Sequence, residues 1–193
     1  MFEEIINFDI LATNFLKNII PHNFIFDSIF YFFSFKGSAI FIWIFVLIII
    51  LIIEEKKYPG ISKNDKNFFV VFILSILLSL IIVEYPLKNL FKRPRPNSNN
   101  QHQFLLSSKK CPTNYSFPSS HAAIAFAATT ILIFFDKKRR LFYYTLAFLI
   151  CYSRIYLGCH FFFDVFFGAF LGNIIARLTL ILNKYFNNLK NLS

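Results

Sequence analysis

The chain of 193 residues is 56% hydrophobic and 20% aromatic, with 29 Phe, and carries a formal net charge of +10 from 20 Lys and Arg. So apolar a composition excludes an ordinary soluble domain of this size and points to a membrane. The basic residues sit in short loops between apolar stretches, not along a solvated stripe, which argues against nucleic acid and for contact with bilayer head groups.

The first residues include Glu3 and Glu4 where a secretory signal would carry Lys or Arg, so no cleavable signal peptide is expected. Between residues 2 and 20, Ile5, Phe8, Ala12, Phe15, Leu16 and Ile19 recur at helical spacing opposite Glu3, Glu4, Asn7, Asn14 and Asn18. That pattern predicts an amphipathic helix. The next segment, 24–35, holds Asp27 and Ser28 and is too short to cross, so residues 1–36 read as helices lying at the interface.

About five apolar spans are expected after it: 37–53, closed by Glu54, Glu55, Lys56 and Lys57; 68–87; 119–135, followed by the basic turn Asp136-Lys137-Lys138-Arg139-Arg140; 141–156; and 161–182. The fold class expected is all-α, a polytopic membrane helix bundle in which residues 37–193 form one domain. Gly168 and Gly172, four apart on the last span, read as a site of close helix packing. The polar loop 88–118 is long for a compact domain and is therefore either functional or disordered.

Five spans would put loop 88–118 and the turn 157–160 on one side, with 54–67, 136–140 and the C-terminus on the other. Lys56, Lys57, Lys63, Lys66, Lys137, Lys138, Arg139, Arg140, Lys184 and Lys190 gather on the second side and make it cytoplasmic by the positive-inside rule. The first side then faces outward across an inner (plasma) membrane. Cys111, Cys151 and Cys159 have no zinc-type spacing, but Cys111 and Cys159 share the outward side, which leaves a disulfide open.

That side also collects Lys88, Arg95, His121, Arg154, His160 and Asp164, each within a few residues of a helix end. Ionisable residues at membrane depth are costly unless paired or wetted, and such a cluster marks function. Each alone has a plainer explanation: a lysine can snorkel, an arginine can meet lipid heads, a lone histidine is usually a polar interface residue. His160 and Asp164, four apart, share a helix face, where the carboxylate can take a hydrogen bond from one ring nitrogen and leave the other to attack. His121 follows Pro118-Ser119-Ser120 at a helix start, where free backbone N–H groups and the helix dipole favour an anion such as phosphate. Lys88, Arg95 and Arg154 would supply positive charge to phosphate oxygens.

The stretch from Lys88 through Arg95-Pro96, then Pro118-Ser119-Ser120-His121, then Ser153-Arg154 with His160 after five intervening residues and Asp164 after three more, resembles the type 2 phosphatidic acid phosphatase family. All three motifs, at 88–96, 118–121 and 153–164, stand in order. Ser120 replaces the usual glycine, and of the two Arg-Pro pairs only Arg95 stands at the family spacing from Lys88, which leaves Arg93 auxiliary. The resemblance implies a lipid phosphatase in which His160 attacks phosphorus, Asp164 orients it, and His121 protonates the leaving oxygen. Lys88, Arg95, Ser119, Ser120 and Arg154 would bind the phosphate, with no metal and no cofactor. Among lipid phosphates in the membrane, undecaprenyl diphosphate is the preferred substrate; phosphatidic acid, phosphatidylglycerol phosphate and lipid A are the alternatives, and a non-enzymatic lipid-binding protein is a different class.

Overall fold

A computed structural model describes residues 2–35, 37–57, 63–96 and 111–190. Loop 88–118 is therefore described at its two ends only, residues 97–110 lying outside that set.

The described residues are helical and without strands: α1 (Phe2–Asn18), α2 (Phe24–Ser34), α3 (Ser38–Lys57), α4 (Lys63–Ile82), α5 (Lys88–Phe91), α6 (Ser120–Phe135), α7 (Arg140–Tyr156) and α8 (Phe162–Lys190). α4 continues into α5 through a π-helical turn, Val83–Leu87, that contains Pro86. Proline has no N–H for the helical ladder, and a wider turn absorbs the missing bond. Lys92, at φ 47°, ends α5 in the left-handed conformation. Pro94 and Pro96 favour extended backbone in the residues before them, and the arm so formed is tied across by the Ser116 N–H donating to the Arg93 carbonyl at 2.8 Å.

α6 lies at the centre of the bundle. Ala122, Ala123, Ala125, Ala127 and Ala128 are fully buried, and their small side chains let α3, α4, α7 and α8 close around one helix. Trp43 and Leu47 of α3, Phe72 and Ile76 of α4, Ile131 and Leu132 of α6, and Tyr143 and Ile150 of α7 fill the core between them. The approach of α8 to α6 depends on Gly168 and Gly172, as the sequence suggested: a Cβ on Gly168 would sit 2.5 Å from the Ser119 carbonyl oxygen, and one on Gly172 would sit 2.0 Å from that of Ala123.

The outer surface is as apolar as the core. Phe41 and Phe45 on α3, Val70 and Leu77 on α4, Phe148 on α7 and Phe170 and Leu178 on α8 are all exposed, an arrangement suited to lipid and not to water. This is an all-α integral membrane protein. Among the described residues, two continuous helices are long and apolar enough to cross a bilayer, Asn67–Phe91 and Phe162–Asn188, and a third does so if α2 and α3, bent by 78°, count together. That criterion supports two or three crossings where about five were expected. α6 has 16 residues and α7 has 17, which at 1.5 Å per residue reach about 25 Å against about 30 Å of hydrocarbon.

Candidate active site

One end of the bundle gathers α5, the N-terminus of α6, the C-terminus of α7 and the N-terminus of α8, and every residue singled out from the sequence lies there. Lys88, Arg95, Ser119, Ser120, Arg154, His160 and Asp164 are buried, and His121 is half-buried.

His160 sits in the α7–α8 turn. Gly158, at φ +67°, reverses the chain there, and the N–H groups of Cys159 and His160 donate back to the Arg154 carbonyl at 3.0 and 3.2 Å. Arg95 Nη1 lies 3.1 Å from His160 Nε2. A guanidinium can only donate, so Nε2 presents its lone pair and the ring hydrogen belongs on Nδ1. Nδ1 faces Asp164 Oδ2 at 3.4 Å. Burial, and then the charges of Arg154, Arg95 and Lys88, hold the His160 imidazole well below its ordinary pKa, so it is neutral at pH 7.

The His160–Asp164 contact is looser than the sequence spacing implied, because Nδ1 finds no partner in hydrogen-bond geometry among the described residues. The carboxylate is already engaged: Oδ2 accepts the Phe161 N–H at 2.9 Å, closing the first turn of α8, and Oδ1 accepts Arg93 Nη1 at 2.7 Å. The two arginines of the Arg-Pro repeat thus divide between the pair, Arg93 on Asp164 and Arg95 on His160. Arg95 is fixed by the carbonyls of Asn114 and Cys159, each at 2.8 Å, and by Asn114 Oδ1 at 2.7 Å.

Two cations are held differently from the sequence expectation. Arg154 gives Nη1 to the carbonyl of Ser34 at 2.5 Å and to the Ser34 hydroxyl, which ties α7 to the end of α2. Its Nε, like Ser119 Oγ, has no partner among the described residues, and buried polar atoms of this kind call for an explanation. Lys88 Nζ is 2.7 Å from Glu84 Oε2, one helical turn earlier. Glu84 also accepts from the Ser120 hydroxyl and the Asn114 amide. The serine that stands in place of the family glycine is therefore bound to a carboxylate. His121 Nε2 is 3.2 Å from the Phe35 carbonyl, which only accepts, so that nitrogen carries its hydrogen.

Sequence reasoning missed Glu84, Asn114, Ser34 and Phe35. Glu84 alone left a signal, its four-residue spacing from Lys88; the others reach the site by tertiary contact. The disulfide left open by the sequence is formed: Cys111 and Cys159 are joined across 48 residues, with Cα atoms 5.4 Å apart, tying the far end of loop 88–118 to the residue before His160. Among the described residues no group of three or more His, Cys, Asp or Glu gathers as a metal site.

Fold and site together define an integral membrane protein with a histidine–carboxylate pair ringed by cations, an arrangement suited to phosphoryl transfer. The sequence model of the family described as the PAP2 superfamily matches residues 68–188, and the chain belongs to that family of lipid phosphatases. An undecaprenyl-diphosphatase from Sulfolobus acidocaldarius is 30% identical over 145 residues, covering 75% of this chain; the match spans 65% of that relative's length. Among solved structures, LpxE from Aquifex aeolicus aligns with a TM-score of 0.60 at 27% identity, over 89% of this chain and 93% of its own. A transmembrane PAP2-type phosphatidylglycerolphosphate phosphatase from Bacillus subtilis aligns at 0.58 and 21% identity over 94% and 87%, a likeness of fold.

Proposed function

We propose that this protein hydrolyses a lipid phosphate or diphosphate through a phosphohistidine on His160, and that undecaprenyl diphosphate is its substrate. The observation that carries the reading is the His160 ring itself, neutral and buried, with its Nε2 lone pair against Arg95 and its Nδ1 hydrogen toward Asp164. Nε2 attacks phosphorus in line, the bond to the leaving oxygen breaks, and His121 gives that oxygen a proton. Water then attacks the phosphohistidine while His121 takes a proton back, and inorganic phosphate leaves. In the structure His121 Nε2 is turned to the Phe35 carbonyl, so donation requires the ring to exchange that partner for the leaving oxygen. Lys88, Arg95, Arg154 and the start of α6 at Ser119 and Ser120 neutralise the phosphate charge, and no metal is required.

The substrate choice leans on the Sulfolobus relative. Phosphatidic acid, phosphatidylglycerol phosphate and lipid A share the phosphate chemistry and are the alternatives. The Cys111–Cys159 disulfide supports a site on the outer, oxidising face of an inner membrane. Residues 1–36 are read as an interfacial layer on a phosphatase core of residues 37–193. A non-enzymatic lipid-binding role would leave the His160–Asp164 pairing without purpose.

The test is phosphate release by detergent-solubilised protein from a panel of pure lipids, with and without EDTA, comparing wild type with His160→Ala. Release from undecaprenyl diphosphate in EDTA, abolished in the variant, is expected. Inactivity on every lipid would favour the binding protein, and full inhibition by EDTA would overturn the metal-free scheme. Tyr115, exposed beside Asn114, offers an orientation check: Tyr115→Cys should react with a membrane-impermeant thiol reagent in intact cells, and labelling only after lysis would reverse the sidedness.

A further inference from the structure

α1 has the character of a surface helix, with Phe8, Leu11 and Phe15 more than half exposed, yet its opposite face is polar and buried. Asp9 is 1% exposed and Thr13 3%; four apart, they share one stripe. Both side chains cap α8: Asp9 Oδ1 accepts the Phe163 N–H at 2.8 Å, and Thr13 Oγ1 accepts that of Phe162 at 2.9 Å. These are N–H groups of the first helical turn, which no intrahelical carbonyl can satisfy. The second oxygen of Asp9 accepts Arg93 Nη2 at 2.5 Å, and the other arm of the same guanidinium donates to Asp164 at 2.7 Å. Arg93 also lies 4.0 Å over the ring of Phe161, the residue whose own N–H holds the other Asp164 oxygen.

We propose that Asp9 and Arg93 are positioning residues for the reaction, and that α1 fixes the Asp164 carboxylate against His160. Without Arg93, Asp164 would be held through Oδ2 by the Phe161 N–H, with Oδ1 left unclamped. With Oδ1 clamped by Arg93 and Arg93 clamped by a buried Asp9, only Oδ2 faces the His160 ring, and it does so in one orientation. A fork of two parallel donors suits this task, since each arm takes a different carboxylate. The capping bonds from Asp9 and Thr13 set the start of α8 in the same frame, so a helix with an apolar outer face anchors the carboxylate that orients the nucleophile. Arg93 thereby has a defined task alongside Arg95.

The inference rests on His160 being the nucleophile, and the experiment separates the two. In full-length protein, His160→Ala without phosphate release supports the nucleophile; Arg93→Met, Arg93→Lys and Asp9→Asn then test the clamp in a protein known to turn over. The groups facing His160 are Arg95 on the arm, Lys88 on α5 with Glu84 behind it, His121 on α6, Arg154 on α7 and Asp164 on α8, with Arg93 behind Asp164. Removing the Arg93 charge leaves Asp164 facing His160 with its full negative charge, so Arg93→Met should move the acid limb of kcat/KM upward by about half to one pH unit. Asp9→Asn removes a negative charge and should move the limb downward by less. Arg93→Met should lower kcat on the order of 10- to 100-fold with KM within about threefold, and Arg93→Lys, keeping charge but losing the fork, should recover part of it. Variants that melt as wild type yet keep its kcat and pH profile would overturn the proposal. So would a loss confined to KM, or an Arg93→Met loss that tracks melting temperature with the acid limb unmoved in both Arg93→Met and Asp9→Asn.

Discussion

Gly168→Ala tests whether the packing of α8 on α6 sets the geometry of the anion cradle. The new Cβ would lie 2.5 Å from the Ser119 carbonyl oxygen and 3.1 Å from its nitrogen, where carbon needs roughly 3.5 Å. Backbone cannot swing away as a flexible side chain does, so α8 or the Ser119–His121 turn must retreat by about 1 Å. The two are also tied, the Ser119 N–H donating to the Asp164 carbonyl at 2.9 Å, so the retreat must disturb either the cradle or the carboxylate beside His160. Overpacking of this kind costs about 1–3 kcal/mol of stability, and a displacement near 1 Å at the reacting groups costs about 100-fold in rate. Gly172→Ala, one turn deeper at 2.0 Å from the Ala123 carbonyl, is the comparison. It should lose more stability and less turnover per folded molecule. The assay is phosphate release in mixed micelles with melting curves on the same samples. Retention of kcat/KM within twofold in Gly168→Ala, or an equal kcat loss in Gly172→Ala, would refute the link between the packing and the cradle.

In the proposed scheme the neutral form of His160 attacks, and its pKa is lowered by burial and by Arg154, Arg95 and Lys88. Activity should therefore survive as pH falls through 6.5 and decline only below it; an acid limb in kcat/KM above pH 6.5 would contradict the assignment. Glu84 holds Lys88 and Ser120 and places a negative charge where the proposed scheme binds the phosphate. Glu84→Gln should tighten inhibition by inorganic phosphate or vanadate about three- to tenfold; weaker inhibition would mean that Glu84 instead serves to hold Lys88 in place. Reduction of Cys111–Cys159, or Cys111→Ser, frees the loop next to His160 and should lower stability by about 2–4 kcal/mol with a fall in kcat. A melting temperature and kcat unchanged by reductant would show that the tether is dispensable.

The helices were legible because each depends on its own residues. The apolar stretches at 119–135 and 141–156 became α6 and α7 to within a residue, since uninterrupted apolar side chains and local backbone bonds suffice to define a membrane helix. α8 runs to Lys190 where the span was placed to end at 182: the helix continues past its apolar part, which hydropathy alone does not register. The site residues were legible as three short motifs, and the structure gathers them at one end. Their partners were not. Arg154 was expected to face phosphate, yet Nη1 is bound to Ser34, 120 residues away. Asp9 gave no sign of a role, because a single acidic residue on an amphipathic helix is ordinary until the helix it caps is known.

What the sequence determined is the membrane, the helical class, the family and the set of candidate site residues, all properties of local composition and spacing. Only the tertiary structure decided which oxygen meets which cation: that Arg93 joins α1 to Asp164, that Arg95 faces His160, and that Glu84 occupies Lys88 and Ser120. The reason is physical. Helix formation is a contest among neighbours in the chain, whereas these pairings depend on how closely α6 and α8 approach at Gly168 and Gly172 and on where the turns then bring side chains from segments far apart.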